Sequence, residues 1–192
     1  MSKVLAQKSG LLVYYLLAYM AAILLTGGYK IYVMTATQEH YVVSTRLGAA
    51  MSLLISALFT CAILGLIIWL CFQINMVFQL NIEKTDFINA MTTLIVVLIV
   101  AEFAKSLATF CYLGEEMVSI DMFNEFGKQL AATQWYGLVT KINMAAYVLG
   151  AIVFGFELKS MVKELSLGQA TMISLFILFA LWIPNVDVSA YF

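Results

Sequence analysis

Residues 87–113 read FINAMTTLIVVLIVAEFAKSLATFCYL, and this stretch decides the fold class. At 1.5 Å of rise per residue, a helix over it is about 40 Å long, more than the roughly 30 Å hydrocarbon core of a bilayer. Its only charged groups are Glu102 and Lys105, and no acid or base occurs in 87–101. An ionised carboxylate inside a bilayer costs several kcal/mol on any scale, so Glu102 is expected to face protein rather than lipid. Lys105 lies one turn away on the same face, where the two side chains can pair. Ser106 and Thr109 extend that face, giving the helix a polar stripe of Glu102, Lys105, Ser106 and Thr109.

The rest of the chain agrees with a membrane reading. Hydrophobic residues make up 64% and charged residues 11% of the sequence, with a mean hydropathy of +0.97. A soluble domain carries about 45–50% apolar and about 25% charged residues. Ten basic residues against eleven acidic ones leave no basic face for nucleic acid and no basic tail for anionic lipid. One proline, Pro184, and no Ser/Pro-rich linker point to a single domain over 1–192.

Five segments qualify as spans: 10–29, 47–75, 87–113, 137–156 and 166–183. The expected class is therefore an all-α polytopic integral membrane protein, a bundle of about five transmembrane helices with one interfacial amphipathic helix. Continuous helices are the form in which backbone polar groups stay paired in lipid, and the alternating ten-residue strands of a membrane barrel are missing from the sequence. The amino-terminal MSKVLAQKSG precedes a 21-residue uncharged run, 9–29, long enough to be a retained first helix. The uncharged run 47–82 is too long for one perpendicular crossing and too short for two with a turn. Gln73, Asn75 and Gln79 place its last turns outside lipid.

Two connectors are longer than turns. In 30–46, Tyr32 and Tyr41 suit an interface. About 117–131, Ile120, Phe123, Phe126 and Leu130 recur at helical spacing opposite Asp121, Asn124, Glu125 and Lys128, as in a helix lying on the outer surface. Trp135 and Tyr136 then resemble an interfacial aromatic belt. Lysines 3, 8, 84, 159 and 163 on one side outnumber Lys30, Arg46 and Lys128 on the other. This favours a cytoplasmic amino terminus and an outer carboxyl terminus in a bacterial inner membrane.

Small residues that let helices approach lie at four-residue steps in Gly48, Ser52, Ser56 and Thr60, with a second row of Ala57, Cys61 and Gly65. Ala146 and Gly150, with Gly155 beyond them, do the same in the fourth span. Lys141, Asn143 and Tyr147 of that span are candidate cross-helix partners for the Glu102 stripe. Glu157, Lys159, Lys163 and Glu164 read as solvated loop charges. Cys61, Cys71 and Cys111 fall in predicted spans and form no CxxC pair, so they read as small apolar side chains rather than disulfides or metal ligands. His40 is the only histidine, which leaves no bis-histidine haem and little basis for a histidine-based zinc site. No HExxH, GxSxG or GxxxxGK[ST] occurs. No cofactor, metal or enzymatic activity is expected.

The stretch QWYGLVTKINMAAYVLGAIVFGFELKSMVKELSLGQATMISLFILFALWI combines an aromatic start, an Asn-bearing helix, a short charged link with ELSLGQA, and a final apolar helix. It resembles the last two spans of bacterial members of the Yip (Ypt-interacting-protein) family of five-span membrane domains, over about 85–185. The family's eukaryotic DLYGP-type motif is absent, so vesicle traffic is not implied. The resemblance implies an accessory membrane subunit beside transport or export machinery, with no catalytic residues.

Three functions follow as expectations. The first is a non-enzymatic accessory subunit of a multi-protein envelope complex, binding other integral membrane proteins through helix faces, for which a homo-oligomer is also compatible. The second is a small ion-coupled permease or channel using Glu102 and Lys105, although no inverted repeat or broken helix supports it. The third is an immunity or envelope-stress protein that acts by residing in the membrane.

Overall fold

The computed structural model describes residues 2–36, 43–77, 80, 82–118, 120 and 126–182. They form α1 (Ser2–Ala36), α2 (Val43–Val77), α3 (Lys84–Met117), α4 (Phe126–Ala131), α5 (Gln134–Met161) and α6 (Leu167–Trp182). There is no strand among the described residues. Four helices, α1, α2, α3 and α5, are long and apolar enough to cross a membrane.

α3 is the central helix. It packs along α1 and α5, α5 packs on α6, and α2 leans on α1. Half of α3's apolar window is buried, against 17–22% for the other three long helices. The sequence of α3 explains this position. Val96, Val100, Phe103, Leu107 and Phe110 recur at helical spacing and are exposed, an apolar stripe for lipid. Ala90, Met91, Leu94, Ile95 and Leu98 fill the opposite face and are buried, and Glu102 and Thr109 continue that buried side.

Glycine sets the closest approaches. A Cβ on Gly150 of α5 would sit 2.5 Å from Leu94 Cδ1 of α3, and one on Gly155 would collide with Ser174 Oγ of α6. Ala146 is buried in the same core. This is small-residue packing of the kind that holds helices together without a hydrophobic driving force. In the half of the bundle where α3 begins, Phe72, Phe87 and Phe154 form a ring cluster, with centroids 5.0 Å and 5.5 Å apart.

Local sequence closes the connections. Asn75 donates from Nδ2 to the Ile82 carbonyl (2.9 Å) and accepts from the Ile82 N–H (3.2 Å), clamping the α2–α3 turn. At the start of α5, Glu116 accepts from the N–H groups of Gln134 (2.9 Å) and Trp135 (3.0 Å). Thr133 Oγ1 takes Tyr136 N–H and Thr133's own N–H donates to the Leu130 carbonyl. All four donors that a helix start leaves open are thus satisfied. Ser166 and Gln169, in the SLGQ of ELSLGQA, form a reciprocal capping box at α6. Lys159 turns into the α5–α6 link and donates to the carbonyls of Lys163 and Leu165. It is an organising residue there rather than a solvated charge.

The helices outrun the expected spans because hydrogen bonding does not stop where lipid does. α1 continues through Lys30 to Ala36, so the first part of the 30–46 connector is helical. α2 is one rod of 35 residues, about 52 Å. α3 passes residue 113 and ends at Met117. An unbroken helix over 117–131 is therefore corrected. Met117 closes α3, Val118 lies in a turn, Ile120 is not helical, and the next described helix is Phe126–Ala131. Residues 119 and 121–125 lie outside the described residues. Ile120 is buried with Leu113, Met117 and Trp135, with Leu130 against them, so these two apolar residues turn onto protein. α6 is apolar but has 16 residues, about 24 Å. His40 and Tyr41 lie outside the described residues.

Candidate functional site

The polar stripe of α3 opens onto a partly open cavity of about 380 Å³ between α1, α2, α3 and α5, with Leu181 of α6 at its edge. Its lining runs from Tyr19 to Lys30 on α1, Leu53 to Leu64 on α2, and Leu98 to Thr109 on α3. Each interval is about 16 Å of helix. On α5 the lining runs from Trp135 to Tyr147. These are the later parts of α1 and α3, the middle of α2 and the first part of α5, so the chamber lies toward the end of the bundle where α5 begins.

Glu102 and Lys105 pair at its wall, with Lys105 Nζ donating to Glu102 Oε1 at 2.5 Å. Glu102 is 6% exposed. The stripe continues through Ser106, whose hydroxyl donates to Thr26 Oγ1 of α1 at 3.0 Å. Thr26 in turn reaches the carbonyls of Ala22 at 2.9 Å and Glu102 at 3.3 Å. Thr109 donates to the Lys105 carbonyl (2.9 Å) and accepts from Trp135 Nε1 (3.0 Å). Trp135 is buried, so of the expected aromatic belt only Tyr136 is exposed. Trp135 also carries the Lys30 ammonium, 4.8 Å from its ring centroid.

Thr109 opens a π-helical turn, Thr109–Leu113. Such a turn inserts one extra residue, and these insertions concentrate at functional sites. Here the turn falls where α3 passes from the chamber wall to the cluster around Leu113 and Trp135.

The sequence candidates divide clearly. Ser56, Thr60 and Asn143 line the chamber beside Glu102, Lys105 and Thr109. Asn143 makes no hydrogen bond among the described residues, and its amide is open to the cavity. Lys141 is exposed on α5 and outside the chamber. Gly48 and Ser52 are exposed, and a Cβ on Gly48 would meet nothing. α2 instead packs through Ala57, Leu64, Ile67 and Cys71. Three contributors were not placed at this site from sequence: Thr26, Lys30, which reads there as a connector charge, and Trp135, which reads as an interfacial ring. Thr26 and Lys30 carry a signal, a hydroxyl and a cation four residues apart, but nothing local shows that this face meets α3.

The core toward the other end of the bundle is apolar and close-packed. Ala90, Met91, Leu94, Ile95, Phe154 and Leu158 have no exposed surface. The buried polar side chains among the described residues are Thr35, Glu102 and Thr109, all toward the chamber's end. No cluster of metal-ligating groups occurs among the described residues. Comparison of the chain with family models, curated proteins and solved structures gave no match.

Proposed function

We propose that this chain is a membrane-embedded binding protein that admits a small polar solute from one face of the bilayer into the chamber between α1, α2, α3 and α5. One observation carries the reading. A cavity of about 380 Å³ lined by Lys30, Glu102, Lys105, Asn143 and several hydroxyls lies within the size range of small-molecule sites. Polar lining at membrane depth is expensive unless it is used. The close-packed apolar core beyond it favours a one-ended site, as in a receptor or a carrier facing one side, over a continuous channel. With the amino terminus in the cytoplasm and α6 as a fifth crossing, the chamber opens outward from a bacterial inner membrane.

The test is a stabilisation screen of purified protein against small solutes, repeated with Asn143→Leu, which fills the chamber. Saturable stabilisation that the variant loses supports the reading. A variant that folds and keeps every response refutes it.

An accessory role in an envelope complex, with the Yip resemblance behind it, is the second reading. It is favoured by the exposed Gly48 and Ser52 of α2, a close-approach face that no described helix covers. Purification in mild detergent tests it: stoichiometric membrane partners lost on Gly48→Leu support it, and a monodisperse single-chain species opposes it.

A further inference from the structure

We propose that the chamber's ligand is a small monoanion, a carboxylate or a phosphodiester, anchored by Lys30. The inference rests on the chamber reading and names its substrate class. Three ionisable groups of fixed sign line the cavity: Lys30, Lys105 and Glu102. Glu102 and Lys105 neutralise each other across 2.5 Å. That leaves Lys30, whose ammonium lies over the Trp135 ring and has no carboxylate partner among the described residues. Glu116, the carboxylate near that end, is occupied by the N–H groups of Gln134 and Trp135.

With Lys30 protonated, the described lining carries one net positive charge, and one negative charge on the ligand balances it. A cationic ligand would double the imbalance, and a neutral one would leave it. The open amide of Asn143 and the hydroxyl of Ser56 offer hydrogen-bond donors to an oxyanion. Trp135, Tyr19 and Tyr147 offer rings to an apolar body attached to it.

The oxyanion could arrive on a free solute or on a lipid headgroup, and the experiment separates these sources. The full chain in phosphatidylcholine nanodiscs is titrated with benzoate, benzamide and benzylamine, with tryptophan fluorescence as readout. A parallel sample contains phosphatidylglycerol, and its unfolding temperature is compared. Benzoate is expected to bind at least about tenfold more tightly than its neutral and cationic analogues. Lys30→Gln should weaken benzoate by about the same factor and leave benzamide unchanged. Glu102→Gln, which frees Lys105, should tighten benzoate.

A Lys30-dependent stabilisation by phosphatidylglycerol alone also supports the proposal and identifies the anion as a headgroup. Tighter binding of benzylamine or benzamide overturns it while leaving the chamber reading standing. Benzoate affinity unchanged in Lys30→Gln overturns it too. If no probe of any charge binds and phosphatidylglycerol has no effect, the chamber reading falls with it.

Discussion

Removing both members of the Glu102–Lys105 pair should cost far less than the sum of the two single losses. Lys105→Met leaves the Glu102 carboxylate 6% exposed with no cation, and breaking a buried pair in this way costs about 3–5 kcal/mol. The chamber wall is partly open to solvent, which puts the expected value at the lower end, about 3 kcal/mol. Glu102→Gln keeps an acceptor for Lys105, so about 2 kcal/mol is expected. The double variant removes both charges, and its deficit should stay near about 2 kcal/mol, which sets the coupling at about 3 kcal/mol. The assay is equilibrium unfolding in mixed micelles, followed by helical circular dichroism, for the four members of the cycle. Additive losses, with a coupling under about 0.5 kcal/mol, would show that the two side chains do not depend on each other and would refute the reasoning.

Three further outcomes follow from the packing. Gly150→Leu should destabilise by about 3 kcal/mol or more because its side chain meets buried Leu94, and Leu94→Ala should restore part of the loss in the same unfolding assay. Thr109→Val keeps the shape but strands the Trp135 indole N–H, at about 1–3 kcal/mol, with a shift in tryptophan emission. Glu116→Ala removes the acceptor of two α5 N–H groups and should lower stability by about 1 kcal/mol, while Glu116→Asp should lower it less.

The sequence made the α3 stripe readable because both of its signals are local. Glu102, Lys105, Ser106 and Thr109 share a face by spacing alone, and an ion pair three residues apart needs no knowledge of topology. What the stripe faces is a different kind of fact. Thr26 meets Ser106 across eighty residues, and Lys30 looks like a loop charge until α1 is seen to continue past it. Trp135 stands at an interface by sequence position, but which way its ring turns depends on where α3 lies. The Gly48 row and the Gly150 row look equally good as packing faces. Only the second meets another helix among the described residues, because spacing shows that a face is smooth and says nothing about its occupant. The 117–131 stretch shows the same limit: its spacing suggests a continuous surface-lying helix, but Val118 and Ile120 are not helical and Ile120 buries against Met117 and Trp135.

The placement of the charges also limits what Glu102 can do. A coupling carboxylate must exchange its counter-charge during each cycle, and here its partner is on the same helix, one turn away, at 2.5 Å. Separating them in a poorly solvated wall costs several kcal/mol unless another anion takes Lys105. An anion held at Lys30 leaves the pair intact and serves binding alone. An anion that moves on to Lys105 would release Glu102, at the point where α3 leaves regular α-helical geometry at Thr109. Translocation would then also require the layer of Met91, Leu94 and Phe154 to part, and these side chains have no exposed surface. Binding needs none of these rearrangements, and for that reason it is the function the observed geometry supports first.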